Sequence, residues 1–386
     1  MNEVFIIDAK RTPIGKMGGV LRNVRPEQLA SLTIQSLLQN NRISPEDVDE
    51  VILGNVVGPG GNISRLSSLT AGLPVTVPGL TIDRQCGSGL EAINMGARLI
   101  QTGATDLVLA GGVESTSLAP WKMEKPSHLY DPSGPLTYGR ARFSTDEIGD
   151  PDMGIAAENV ARAYNISRQD QDQYAYESHL KAVLARSEGR YEQEVVPVKL
   201  QDGTLIETDE CPRSNTSIEK LSRLQPAFLE NGTVTAGNAC PMNDGAAIVL
   251  LASRTKSDEL GLLPSIRFVD SSVAGVDPNL LGIGPVPAVR MLLKKQNLTI
   301  NDIDVVEFNE AFAAQVLASL RELDIPEEIV NLGGGALALG HPYGASGAVL
   351  MTRMLHEMKK GNKNNGLVTL GVGGGMGIAT LVQRCI

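Results

Sequence analysis

LTIDRQCGSGLEAINMGARLIQTGATDLVLAGG, residues 80 to 112, changes its hydrophobic period twice. A short apolar run, Leu80-Thr81-Ile82, turns through Asp83-Arg84-Gln85 and presents Cys86. From Leu90 the side chains of Leu90, Ile93, Met95, Ala97, Leu99 and Ile100 fall at helical spacing. Gly103 predicts the end of that helix, and Asp106-Leu-Val-Leu-Ala a buried strand running into Gly111-Gly112. Cys86 therefore stands at a strand-to-helix junction. Unpaired N–H groups and the helix dipole favour a thiolate there, so the spacing predicts a lowered thiol pKa. Gly87, Ser88 and Gly89 are small enough to let a carbonyl approach the backbone N–H groups. Such a cysteine is either a nucleophile or an inert buried thiol, and this stretch alone leaves both open.

The 386-residue chain is long enough for two or three packed units. Its hydrophobic content of 42% with 20% charged residues is ordinary for a soluble globular protein. A net charge of −10 argues against nucleic acid or an anionic membrane as the main partner. A polyanionic ligand would have to be met by a local basic cluster. Cys86, Cys211, Cys240 and Cys385 show no CxxC spacing, which disfavours zinc and dithiol redox chemistry and suits a reducing cytoplasm. The N-terminus reads as a first strand, Val4-Phe-Ile-Ile7, and no apolar run approaches the ~20 residues that span a bilayer.

The same grammar occurs twice. Leu37-Leu38 match Leu292-Leu293, and Glu46-Asp-Val-Asp49 matches Asn301-Asp-Ile-Asp304, both at a shift of 255 (292 − 37). Ser88-Gly89 and Gly103 match Ser346-Gly347 and Gly361 at 258 (361 − 103). Leu107-Val108 and Gly111 match Leu367-Val368 and Gly371 after two more residues of insertion. Ordered matches at a nearly constant offset predict two facing copies of one α/β unit; the alternative is chance recurrence of common α/β patterns. Residues 1–116 with 244–262 read as the first half and 263–386 as the second. Residues 117–243, rich in Pro, Gly and charge at their start, read as an inserted loop domain. Within it, Gly154 to Ala163 is helical, Ser167-Arg-Gln-Asp170 caps a second helix, and Val195 to Glu207 reads as a hairpin.

Of four histidines, His128, His179 and His356 read as solvated or packed surface residues. His341 lies in a Gly-rich turn before a helix, nearly where the first copy holds Cys86. Facing copies would bring thiol and imidazole together, the ring taking the thiol proton. A third turn, Glu307-Phe-Asn-Glu-Ala-Phe-Ala-Ala314, supplies Asn309, which either orients a water and an oxyanion or forms an Asx turn. A fourth, Thr369-Leu-Gly-Val-Gly-Gly-Gly-Met-Gly377, exposes backbone N–H groups.

QCGSGLEA, AGGVES, NACPMNDGAA, NEAFAAQ, GHPYGASG and GVGGGMG, in this order along nearly the whole chain, resemble the signature blocks of the thiolases. Those are acetyl-CoA acetyltransferases and 3-ketoacyl-CoA thiolases. The resemblance implies two five-stranded α/β halves in a five-layer α-β-α-β-α arrangement with an inserted loop domain. It implies ping-pong acyl transfer: Cys86 takes the acyl group and His341 activates it. The N–H groups of Cys86 and Gly373 would form one oxyanion hole, and Asn309 (through a water) with His341 the other. Arg213, Leu224, Phe228, Ala236, Cys240 and Phe312 align with the coenzyme A tunnel of relatives, Met153 with a position near the thioester. Lys220 stands where relatives often have serine, and Asp152 where biosynthetic members often have histidine. Arg213, Lys220 and Arg223 are either the phosphate-binding cluster or solvated charges. No tightly bound cofactor is implied, only coenzyme A thioesters as substrates, with a homodimer or tetramer as the assembly.

Two departures matter. Tyr343 replaces a smaller aliphatic residue of many relatives. More important, the last block usually reads Cys-x-Gly-Gly-Gly, and its cysteine exchanges the α-carbon proton of the second acyl group. This chain has Gly371 there. A positioned acid/base is worth ~10²–10⁴ in rate, so the carbon–carbon step loses its expected base while acyl transfer to Cys86 does not. Cys240 either takes over part of that proton transfer or packs. The alternatives are an acyl-transferring or hydrolysing enzyme without condensation, a 3-ketoacyl synthase of the same superfamily, and a dinucleotide-binding dehydrogenase. The synthases that use coenzyme A primers place His before Asn, the reverse of Asn309 and His341. The dehydrogenase rests on Gly333-x-Gly335-x-x-Ala338, which opens into a further Gly-rich turn instead of a clear helix.

Overall fold

The computed structural model describes residues 2–126, 128, 134–361 and 363–385. The chain begins β1 (Val4–Arg11), β2 (Gly15–Lys16), α1 (Pro26–Asn41), β3 (Glu50–Gly54), α2 (Ile63–Thr70), β4 (Gly79–Ile82), α3 (Ser88–Thr102) and β5 (Leu107–Ser115). An excursion follows: β6 (Lys122–Met123), β7 (Thr137–Tyr138), α4 (Met153–Ala163), α5 (Arg168–Ser187), β8 (Val198–Lys199), β9 (Leu205–Ile206) and α6 (Ile218–Ser222). After β10 (Asn243–Ser253) and α7 (Arg254–Glu259) come β11 (Ile266–Gly275), α8 (Pro285–Gln296), β12 (Val305–Phe308) and α9 (Ala313–Leu323). The chain closes with α10 (Ala336–Leu339), α11 (Tyr343–Lys360), β13 (Asn365–Val372) and β14 (Met376–Arg384). Part of the Ser117 to Pro151 excursion lies outside the described residues.

The strands run β12-β13-β14-β11-β1-β10-β5-β3-β4, and the pattern mirrors itself about the antiparallel β11–β1 pair. On one side β1–β10 and β10–β5 are antiparallel and β5–β3 parallel. On the other, β11–β14 and β14–β13 are antiparallel and β13–β12 parallel. Small details repeat too. β1 and β11 each carry a bulge, at Ile6/Asp8 and Phe268/Asp270. Each bulged aspartate accepts from the following backbone N–H and from an amide at the end of the covering helix, Asn41 for Asp8 and Gln296 for Asp270. Asp49 and Asp304 each accept two N–H groups at the start of β5 and β13. Carboxylates satisfying a strand's opening donors at equivalent places make a duplication the physical reading of the repeat.

Alternation along the strands builds the layers. In β5, Val108 and Ala110 face a central cluster with Leu90 and Ile93 of α3 and Met351 and Leu355 of α11. Leu107 and Leu109 face the opposite way, onto Leu29, Ile34 and Leu37 of α1. In the second half, Val368 and Leu370 of β13 face the centre, while Leu367 faces α8 and α9 through Leu292 and Leu317. Helices outside, helices between and strands separating them are the five layers. Two features depart from independent five-stranded halves. The β1–β11 register makes one continuous sheet, and the second half's fifth strand shrinks to a single bridge, Val306 to Val330. Pro326 before it and the glycines 333–335 after it leave no run of strand formers there.

The central helices α3 and α11 meet through glycine. A Cβ at Gly347 would lie 2.3 Å from the Leu90 nitrogen, and one at Gly112 would lie 2.0 Å from the Gly344 carbonyl oxygen. Only residues without side chains permit this backbone approach, which sets the two helix amino ends side by side. A buried ionic cluster ties α11 to β1 and the excursion: Arg11 bonds Glu194 and Asp209, and Arg353 bonds Glu194 and Glu357. Two histidines expected at the surface are interior. His356 Nε2 lies 3.3 Å from the Ala9 carbonyl, and His179 Nδ1 accepts the Arg213 N–H at 3.2 Å. Their helices are covered by β1 and by the excursion, so helical position alone misjudged them; His128 is exposed. Among the described residues, no helix is long and apolar enough to cross a membrane.

Candidate active site

Cys86 stands two residues before the first residue of α3, and His341 two residues before the first residue of α11. The equivalence predicted from the repeat is thus kept in space, and the glycine contacts place the two turns next to each other. The Gly373 N–H, in the turn between β13 and β14, is near enough to the Cys86 sulfur to favour its charged form. Cys240 follows an isolated bridge between Ala239 and Phe312, and its N–H donates to the Ala311 carbonyl at 3.0 Å. Cys86, Cys240 and Tyr343 are close enough that charge on either thiol disfavours charge on the tyrosine. The Tyr343 ring meets the His341 ring edge-on at 5.1 Å.

The thiol does not behave as its place at a helix start predicts. Burial pushes the Cys86 thiol up to about 12, against the opposing pull of the Gly373 N–H. Desolvating a thiolate outweighs one hydrogen bond and a helix end. Cys86 is therefore protonated at neutral pH, and its reactivity depends on a base. Burial raises Cys240 as well, with the charge of Cys86 adding to the effect.

His341 is suited to be that base. Burial lowers its pKa to about 4, so the ring is neutral. Its Nδ1 lies 2.6 Å from Ser346 Oγ, and that hydroxyl donates to the Pro342 carbonyl at 3.1 Å. The serine proton being so used, Nδ1 carries the ring hydrogen and Nε2 the lone pair. Asn309 agrees with this tautomer: its Nδ2 lies 3.4 Å from Nε2, donor to acceptor. The His341 N–H is held by Asn243 Oδ1 at 2.8 Å. No hydrogen bond joins Cys86 to His341 among the described residues. Catalytic contacts in unliganded sites often close only with substrate.

The remaining expected residues divide. Phe228 and Phe312 meet edge-on at 6.1 Å, and a Cβ at Gly154 would lie 2.1 Å from the Phe228 ring, which brings Met153 at the start of α4 to the same strip. Leu224 packs over Gly237, beside exposed Ala236. Arg213 and Lys220 are exposed; Lys220 bonds the Asn215 carbonyl, and no ion pair among the described residues occupies either. Gly371, expected to stand where the family has a cysteine, has its side-chain direction filled by a neighbour. A Cβ there would lie 2.3 Å from Gln315 Nε2. Gln315, Ser346 and Glu307 gave no signal of their own, because each lies inside a block read for a neighbouring residue.

The chain matches the model of the thiolase N-terminal domain over residues 4–255 and that of the thiolase C-terminal domain over 262–384. A Staphylococcus haemolyticus protein named "Putative acetyl-CoA C-acetyltransferase VraB" is 48% identical over 384 residues, covering 100% of this chain and 99% of its own. A Staphylococcus aureus protein of the same name is 46% identical over 384 residues, with 100% of both chains covered. The crystal structure of the Bacillus anthracis acetyl-CoA acetyltransferase superposes with a TM-score of 0.93 at 41% identity, over 100% of this chain and 99% of that one.

Proposed function

Because the chain belongs to the thiolase family of acyltransferases, we propose that it moves acyl groups between coenzyme A thioesters through a thioester on Cys86. The observation that carries this reading is that glycine contacts set the Cys86 and His341 turns side by side at the starts of α3 and α11, with the Gly373 N–H near the sulfur. A donor there is also within reach of the oxygen of the carbonyl that the sulfur attacks, where negative charge develops. His341 Nε2 takes the thiol proton, the S–H bond breaks, and the sulfur adds to the thioester carbonyl. Collapse expels coenzyme A thiolate, which recovers the proton from His341. Asn309 holds the ring by its lone-pair edge and, with His341, faces the oxygen of the second acyl group.

Acetyl-CoA and acetoacetyl-CoA are the substrates this reading favours, in line with the names of the relatives. The Phe228–Phe312 strip with Leu224, Ala236, Met153 and Cys240 would take the pantetheine arm, and exposed Arg213 and Lys220 the phosphates. The protein would work in the cytoplasm as a homodimer or tetramer. Gly371 favours a second reading, acyl transfer or hydrolysis without carbon–carbon chemistry. Cys240 is a poor replacement base, since its thiol is held far above neutrality. Purified protein given acetoacetyl-CoA plus coenzyme A is expected to release acetyl-CoA slowly while acylating Cys86 fast. Acylation with no thiolysis would establish the second reading; neither would refute both.

A further inference from the structure

Asn309 and Ser346, the two side chains that hold the His341 ring, also line a small cavity closed by Glu307, Arg353 and the backbone of Gly335 and Gly340. Its water-accessible volume is about 10 Å³, room for one water. Both carboxyl oxygens of Glu307 and the Nε of Arg353 are enclosed without a hydrogen-bond partner in the protein. Glu307 is only 1% exposed. The other guanidinium nitrogens of Arg353 are engaged by Glu194 and Glu357. Buried polar atoms are nearly always satisfied, by protein or by ordered water. Three orphaned atoms around a one-water cavity, two residues along the strand from Asn309, define a built site with no role in the mechanism above.

We propose that one water occupies this cavity, accepting from Arg353 Nε–H and donating to Glu307, and that Glu307 is a positioning residue whose charge sets how readily His341 takes the Cys86 proton. This rests on the reading of His341 as the base. Glu307 on β12 faces Arg353 and Glu357 of α11, Glu194 beyond α5, Glu310 in its own turn and Lys363 beyond α11. The two buried guanidiniums are already matched by Glu194, Asp209 and Glu357. Arg190 and Lys363 also pair with Glu357, yet neither bonds Glu307, and burial holds its carboxyl up to about 8. Below that pH the group is a neutral acid. Above it, its proton goes to solvent and a carboxylate stands at the cavity that Asn309 and Ser346, the two partners of the ring, also line. An imidazolium is then better tolerated, so the step from S–H to Nε2–H becomes easier.

The test is alkylation of Cys86 by iodoacetamide in the full-length protein across about pH 6 to 10, followed by mass of the Cys86 peptide. A thiol titrating near 12 alone gives a smooth climb. The proposal expects an added step of about tenfold near pH 8, corresponding to one pKa unit on the ring. The step should vanish in Glu307→Gln, which keeps the shape and the contact to water, and in His341→Ala. A wild-type profile without the step overturns the proposal whether or not the variants fold. A Glu307→Gln profile that keeps the step overturns it too. Failure of the functional reading is separate: Cys86→Ala with undiminished acyl transfer would refute that reading and leave the alkylation profile to decide Glu307.

Discussion

His341→Ala is expected to lower acyl transfer about 10³- to 10⁴-fold, the upper range for loss of a positioned general base. The size follows from the environment of the sulfur. A thiol held up to about 12 contributes almost no thiolate at neutral pH, so the base carries a large share of the activation. The variant's residual rate should climb steeply with pH, as hydroxide replaces the ring in removing the thiol proton. Apart from the step near pH 8 expected from Glu307, the wild-type rate should be much flatter above pH 6, because the ring stays neutral there with its pKa near 4. Turnover against pH for both proteins checks the size and the slope together.

The second large effect concerns Gly371. Gly371→Cys alone is expected to give little gain, since its Cβ would start 2.3 Å from Gln315 Nε2 and the amide would have to swing away. Such crowding typically costs about 1–3 kcal/mol of stability. Gly371→Cys combined with Gln315→Ala removes the obstruction and supplies a thiol where the sequence resemblance implies a second one. Thiolysis of acetoacetyl-CoA is then expected to rise about 10²-fold, the lower range for restoring an acid/base group. Acylation of Cys86 should change little. A double variant that folds and is no faster would show that absence of a thiol at 371 does not limit the carbon–carbon step.

Much of the fold was legible because its signals are local and repeated. The 255-residue shift seen in Leu37-Leu38 and Leu292-Leu293 is the shift between Asn41 and Gln296, which bond the bulged aspartates at equivalent places. Gly103 ends α3 at φ 77°, in the left-handed region the sequence reading required. The joining of both halves through β1 and β11 was not legible, since no periodicity within a strand names its neighbour. The turns holding Cys86, His341 and Gly373 were each identifiable from their glycines, and that of Asn309 from its place at the end of a strand. The state of the thiol was not. Helix position predicted a lowered pKa, but burial by the opposite half decides it, and burial belongs to tertiary packing. Gln315 and Glu307 were hidden for the same reason: what matters is the space each meets across the sheet.

The most direct test of the central claim is the identity of the acylated atom. Intact protein mixed with acetyl-CoA, quenched in acid and digested should carry an acetyl group on the peptide containing Cys86. Coenzyme A should remove that group, and Cys86→Ala should never acquire it. An acetyl group on Cys240 instead, or continued acyl transfer by Cys86→Ala, would contradict the account.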